Sequence, residues 1–115
     1  MALSELEIAQ CEREMGEFLA NRRPPAHIRP ELDIGIRVTG QSVVIFEIRP
    51  RWNRPREKME EPVAKATYVK KQNVWRVFWM RRDLKWHRYD PKPEVSSLKA
   101  FGRLVHEDRY ACFFG

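Results

Sequence analysis

The sequence of 115 residues has no long run of apolar side chains. A membrane-spanning helix needs about 18–20 consecutive apolar residues, so this absence excludes such a span. The acidic N-terminal region also lacks the basic start and apolar core that are typical of a signal peptide. We therefore expect a cytoplasmic protein with no membrane partner.

Residues that form metal, nucleotide and redox sites are also scarce. Cys11 and Cys112 lie far apart among apolar residues, which predicts two reduced core thiols. Together with His27, His87 and His106 they show none of the spacings that preorganise zinc. The five glycines are scattered, so no glycine-rich phosphate loop is present. The sequence predicts no metal site, no cofactor and no catalytic residue.

The composition is that of a folded protein, with 43% hydrophobic and 33% charged residues. Four Trp, six Phe and three Tyr need a core in which to be buried. A chain of this length holds one such core without disulfides or metal. We predict a single domain over residues 1–115.

The net charge of +6 is unevenly distributed along the chain. Residues 49–92 contain fourteen Lys or Arg and five Asp or Glu, so this region is strongly basic and the remainder is weakly acidic. A basic region of this kind favours an acidic partner.

Two helices are predicted from capping and apolar spacing. Ser4 and Glu7 have the spacing of a capping box, and a helix should run over residues 4–21 with one apolar face. A second apolar stripe after residue 93 predicts another helix near the C-terminus. Its members are Val95, Leu98, Phe101 and Val105. The chain ends in an apolar extended segment, 110–115, which we expect to be buried.

The middle of the chain predicts about five mainly antiparallel strands, which makes the fold class α+β. Alternation over 32–38 and 42–49 indicates a hairpin, and partner numbers that sum to about 80 would place both apolar sets on one face. Residues 50–62 are expected to form a basic, proline-rich loop. Three more strands should follow. Their predicted bounds are 63–70, 74–81 and 84–89.

The predicted turns of the last three strands assign their side chains to faces. Trp75, Trp79 and Trp86 should lie on the core face, while the reverse face should carry rings and cations between them. That reverse face includes Phe78, Met80, Lys85, His87 and Tyr89.

Interleaved aromatic and basic residues indicate a non-enzymatic binding module for nucleic acid or another polyanion. Cations neutralise phosphates while aromatic rings stack on bases. We expect the cations of residues 51–56 and of the fifth strand to form one continuous surface near Trp52. The predicted polyanion-binding residues are Arg51, Trp52, Arg54, Arg56, Arg76, Lys85, His87 and Arg88.

Other interpretations of the same residues remain open. The rings could be core, and the arginines could pair with the acidic first helix. A protein-interaction or oligomerisation module, binding an acidic protein or forming a homodimer, is the main alternative function. A metal-dependent nuclease is a third, because the predicted hairpin places Asp33 beside Glu47, with Arg49 where such enzymes have lysine. Arginine does not give up its proton, which weighs against this reading.

Several blocks of sequence extend over nearly the whole chain. They are Phe46-Glu-Ile-Arg-Pro50-Arg-Trp52, Glu61-Pro-Val-Ala-Lys-Ala-Thr-Tyr-Val69, Trp75-Arg-Val-Phe-Trp79, Asp83-Leu-Lys-Trp-His87-Arg-Tyr89 and Cys112-Phe-Phe-Gly115. In these blocks the chain resembles a family of short bacterial proteins classed as a domain of unknown function. The resemblance implies a bacterial source and a stand-alone cytosolic domain, and it does not choose between binding and catalysis.

Overall fold

The first helix begins at the predicted capping box. The Ser4 hydroxyl accepts a hydrogen bond from the Glu7 backbone N–H, and the Glu7 carboxylate accepts one from the Ser4 N–H. The structure, a computed structural model, describes residues 2–114. It divides the predicted helix 4–21 at Met15 into α1 (Glu5–Glu14) and α2 (Gly16–Arg22). Glycine is the poorest helix former after proline, and Gly16 follows the break directly.

Six strands form one sheet, and the predicted α+β architecture is confirmed. β1 to β5 lie side by side in chain order, and all pairs are antiparallel. The short β6 pairs with β4, and two groups that precede β6, the Tyr89 N–H and the Pro93 carbonyl, bond to the main chain of Val77. The strands are β1 (Asp33–Thr39), β2 (Ser42–Arg51), β3 (Arg54–Val69), β4 (Val74–Met80), β5 (Trp86–Arg88) and β6 (Glu94–Val95).

The first hairpin differs from its predicted register by one residue. Ile34 faces Glu47 and Ile36 faces Ile45, so partner numbers sum to 81. A shift of one residue moves a whole strand's side chains to the other face. Val43 and Ile45 therefore join the core, whereas Phe46 lies on the opposite face above Gly35. A Cβ on Gly35 would come within 2.9 Å of the Phe46 ring, so glycine makes room for it.

A similar shift corrects the faces of β5. Met80 faces Trp86 and Trp79 faces His87. Trp86 therefore lies on the reverse face, and His87 and Tyr89 lie on the helix side, which is the opposite of the prediction. Leu84 adopts a left-handed backbone (φ 60°) in the intervening turn. The pairing of β4 with β5 is displaced by one residue from the predicted register.

The proline-rich segment 50–62 is strand rather than loop. β2 continues to Arg51, and β3 begins at Arg54 after a turn of two residues. Register shifts occur beside Phe46 and Arg51, and such bulges accommodate proline.

All three helices pack on one face of the sheet. α3 (Leu98–Glu107) has Ser97 as its N-cap, and Leu98, Phe101 and Val105 are fully buried as the apolar stripe predicted. Val95 is also buried, but it lies in β6 before the helix. We call the other side of the sheet the open face, because no helix or strand among residues 2–114 covers it.

The C-terminal segment folds back onto the helix side of the sheet. Both carboxylate oxygens of Asp108 accept backbone N–H groups, from Phe113 (3.0 Å) and Phe114 (2.9 Å). The Phe113 ring packs 4.8 Å from that of Tyr89, and both side chains are buried. Burial of Phe113 agrees with the expectation for 110–115; Gly115 lies outside the described residues, and Tyr110 is exposed.

Candidate polyanion-binding arm

A hairpin of β2 and β3 extends beyond the rest of the sheet. β1 pairs with β2 only as far as Ile48, and β4 pairs with β3 only from Ala64 onward. Past these points the two strands have only each other as partners. We call residues 49–59 the arm, and its tip is the turn at Trp52 and Asn53.

The arm is basic and exposed. Residues 49–58 contain five cations and one carboxylate, Glu57, and all six charged side chains are exposed. Trp52 is 92% exposed, so its indole makes almost no contact with the rest of the protein. The five cations are Arg49, Arg51, Arg54, Arg56 and Lys58.

Few interactions neutralise the arm's cations. Arg51 and Arg54 share Glu57, each at 3.5 Å. These are weak pairs because every partner is at least half exposed. Arg56 makes no ion pair with any residue in 2–114, and the Lys58 ammonium donates to the Pro30 carbonyl. Within this described range, no arginine of the arm pairs with the acidic residues of α1.

The other predicted binding residues lie elsewhere. Arg76 and Arg88 project from β4 and β5 on the open face, and Arg88 pairs with Asp90 at 2.9 Å. Phe78 faces both Arg88 and Lys65, and Lys65 is eleven residues along β3 from Arg54. At about 3.3 Å per residue, these cations are roughly 35 Å from the tip of the arm.

Lys85 and His87 belong to neither group. Lys85 is exposed in the turn before β5, and the Nε2–H of His87, on the helix side, donates a 2.8 Å hydrogen bond to the Asp83 carboxylate. This bond is the main cause of a lowered pKa at Asp83. The structure thus divides the predicted surface: Arg51, Trp52, Arg54 and Arg56 lie together on the arm, and the remaining four do not join them.

The open face contains Lys65, a cation that the sequence pattern places on the reverse face but that was not among the predicted binding residues. The Lys65 ammonium lies 4.9 Å from the Phe78 ring centroid and 5.0 Å from that of Trp86. Burial lowers the pKa of Lys65. Lys65 alternates with the buried Ala64 and Ala66, so the sequence pattern indicates that Lys65 faces away from the core. The face of Trp86 depends on the register of the turn between β4 and β5, which the sequence did not specify.

The nuclease arrangement is not formed. Asp33 faces Ile48 and Glu47 faces Ile34, so the two carboxylates project from opposite faces of the sheet. Asp33 instead binds the guanidinium of Arg23 through two hydrogen bonds of 2.8 and 2.9 Å. Glu47 contacts Arg49 at 3.3 Å. Among residues 2–114, no three His, Cys, Asp or Glu side chains are grouped so as to hold a metal ion.

Both cysteines are free thiols, in agreement with the prediction. Cys11 is buried in the core and Cys112 is half-buried, and burial is the main cause of a raised pKa at each. Neither thiol is activated as a nucleophile. Within residues 2–114, none of the helices is long and apolar enough to cross a membrane.

The Arg23–Asp33 pair should make stability depend on acid pH. The hydrogen bonds from Arg23 are the main cause of a lowered pKa at Asp33, and the Ile34 N–H adds to the effect. A carboxylate with a lowered pKa stabilises the fold above the ordinary carboxyl range, and it loses this contribution as pH falls through the lowered value. We expect Asp33→Asn to unfold at lower urea than the wild type at neutral pH, and the difference to close as the pH is lowered.

Asp90→Asn is the matched control for this experiment. Asp90 and its partner Arg88 are both more than two-thirds exposed, so their pair should contribute little at any pH. A difference between wild type and Asp33→Asn that stays constant down to strongly acid pH would contradict the role of the carboxylate charge.

The fold and the arm define a class: a two-layer α+β protein with helices on one face of an antiparallel sheet and a projecting basic hairpin. The chain belongs to the family described as Domain of unknown function (DUF3024), which matches residues 3–115. This confirms the resemblance to a domain of unknown function. No curated protein matches the chain, and no solved structure matches it either.

Proposed function

We propose that this protein is a non-enzymatic, cytoplasmic binding module for nucleic acid or another polyanion, and that the arm is its binding element. One observation carries the proposal: a projecting hairpin has five exposed cations, one exposed carboxylate and an almost fully exposed indole at its tip.

The shape and chemistry of the arm suit a nucleic acid. A two-stranded ribbon has the width that the major groove of duplex DNA admits. Arginines on such a ribbon can neutralise phosphates on both sides of the groove, and each neutralised phosphate releases a counterion. On a single strand, Trp52 offers a stacking surface worth about 1–3 kcal/mol per base. Neither mode requires a base-specific contact, so affinity should depend more on salt than on sequence.

The number of cations limits the salt dependence. If all five cations of the arm contact phosphates of duplex DNA, a plot of log K against log salt has a slope of about −4.5. A steeper slope would require contacts outside the arm, and the cations of the open face are the available source.

Salt-dependent titration with short single- and double-stranded DNA and RNA tests the proposal. Arg54→Ala should flatten the duplex slope by about 0.9, because it removes one phosphate contact. Arg103→Ala should leave the slope unchanged, since Arg103 is equally a surface arginine but lies on α3.

A second pair of variants tests the indole. Trp52→Ala should weaken single strands more than duplex, whereas Tyr110→Ala, which removes a ring that is 57% exposed away from the arm, should affect neither. If Arg54→Ala and Arg103→Ala reduce binding equally, or if no polymer binds at low salt, the arm is not a polyanion-binding element.

A further inference from the structure

The arm leaves one edge of β3 without a partner. Pairing with β4 begins at Ala64, so residues 54–63 bond to β2 on one side only. Among residues 2–114, no other backbone group bonds to the outer edge of this segment. An unpaired edge presents a row of N–H and C=O groups to any strand that can lie beside it.

The charges along this edge are complementary to themselves in one orientation. Arg54, Arg56 and Lys58 come first, with Glu57 among them, and Glu60 and Glu61 follow. If a second copy pairs antiparallel about Lys58, Arg56 of each copy faces Glu60 of the other, which also binds Arg37 of its own chain. A parallel pairing would instead place like charges together, so the edge selects an antiparallel copy of itself.

Prolines limit how far such pairing can extend. Pro55 and Pro62 have no N–H to donate, and they bracket residues 56–61. An antiparallel pair of identical edges is two-fold symmetric, so each copy uses this segment of β3 once. The contact between the two arms therefore closes at two copies.

An apolar groove with acidic walls lies where the arm leaves the sheet. It has a volume of about 680 Å³, and its lining includes Met59, Glu61, Val63, Met80, Leu84 and Phe113. Glu47, also in the wall, is the direct cross-strand partner of Glu61, and adjacent carboxylates of this kind favour a cation beside them.

Two large side chains near these features are left in solvent. Trp52 is 92% exposed and Leu84 is 80% exposed. Leu84 is also held in the left-handed region with φ of 60°, which is unfavourable for a residue with a branched side chain. Strain and apolar exposure together, at the rim of a groove, are typical of a contact surface.

We infer that the partner of this surface is a second copy of the chain, with the two β3 edges paired antiparallel and each Trp52 seated in the other copy's groove. Pairing centred on Lys58 places position 54 of one copy alongside position 62 of the other, so the turn at Trp52 lies next to the end of β4, where the groove begins. Arg51 and Arg54 then approach the carboxylates of Glu47 and Glu61.

The size of the surface is sufficient for a dimer. A buried indole contributes about 150–250 Å², so two exchanged Trp52 rings supply about 300–500 Å². A stable interface buries at least about 1,000 Å² in total, and the paired edges and groove walls supply the remainder.

The inference does not depend on the proposed function. The cations that would neutralise phosphates instead meet carboxylates of the partner, so a polyanion and a second copy compete for the same arm. Self-association is therefore measured without any polymer present.

Sedimentation of the full chain at low salt is the test. The wild type should sediment as a species of twice the 13.8 kDa chain mass. Arg56→Glu and Glu60→Arg should each sediment as monomers, because positions 56 and 60 face each other when the pairing is centred on Lys58, and each change places like charges together at two symmetric positions. An equimolar mixture of these two variants should recover the dimer, since each chain then supplies the charge that the other lacks.

Two further variants guard against misfolding and general charge effects. Trp52→Ala changes a residue in an exposed turn, so it leaves no cavity in the core. It should raise the dimer dissociation constant at least tenfold. Lys71→Glu reverses an exposed charge at the opposite end of β3 and should remain dimeric. The inference is overturned if the wild type is a monomer at every concentration, if both charge variants dimerise as the wild type does, or if their mixture stays monomeric.

Discussion

Replacing Arg51, Arg54 and Arg56 together by glutamate is expected to abolish nucleic-acid binding at moderate salt. Each phosphate contact contributes about 0.9 log unit of affinity per tenfold change in salt. Losing three contacts should therefore reduce affinity by about 10²–10³ at ~0.1 M salt, and the new carboxylates add repulsion. The measurement is a fluorescence-anisotropy titration of a labelled duplex and a labelled single strand.

The corresponding triple glutamine variant separates lost attraction from added repulsion. Glutamine keeps hydrogen-bonding side chains on the arm and does not place three further carboxylates around Glu57, so the hairpin should remain intact. This variant should still flatten the salt slope by about 2.7. A triple glutamine variant of Arg13, Lys99 and Arg103, on the helices, is the charge-matched control. Equal losses in the two triple variants would mean that net charge, and not the arm, determines binding.

Phe101→Ala is expected to produce the largest loss of stability. Phe101 is fully buried in α3 and belongs to the core that joins the helices to the sheet. The adjacent Gly102 lies close to Phe18 of α2, where a Cβ would approach to 3.1 Å, so the helices cannot move together to fill a cavity. Removing a buried phenylalanine ring costs about 3–5 kcal/mol.

That loss is a large part of the total stability of a domain, which is about 5–15 kcal/mol. The thermal midpoint should fall by at least ~10 °C, because 1 kcal/mol corresponds to about 4–8 °C for a domain of ~100 residues. Leu6→Ala is the control, since Leu6 is 85% exposed and its removal should change stability by no more than about 0.5 kcal/mol. A midpoint shift no larger than that of Leu6→Ala would contradict the packing of α3 described above.

Local structure could be predicted from the sequence wherever residues close together in the chain determine it. The capping box at Ser4 and Glu7 involves residues three positions apart, so spacing alone specified it. The buried stripe of Leu98, Phe101 and Val105 follows from helical periodicity. The alternation around Lys65 and Ala66 likewise placed the faces of β3 and β4 correctly.

Side chains in the two hairpins were harder to place because their positions depend on turn geometry. In both the β1–β2 and the β4–β5 hairpins the observed register differs by one residue from the predicted one. The alternation of apolar residues is compatible with either register when large side chains occur on both faces, as they do at Ile45 and Phe46 and again at Trp86 and His87. These shifts separated Asp33 from Glu47 and moved Trp86 to the open face.

By itself, then, the sequence determined the α+β class, the capping box at Ser4, the apolar stripes and the concentration of cations after residue 48. Only the tertiary structure decided which of those cations lie together. Whether residues 50–62 form a loop or an arm depends on where β1 and β4 end relative to β2 and β3. That is a relation between strands far apart in the chain, and it is set by packing of the sheet against the helices rather than by any local pattern.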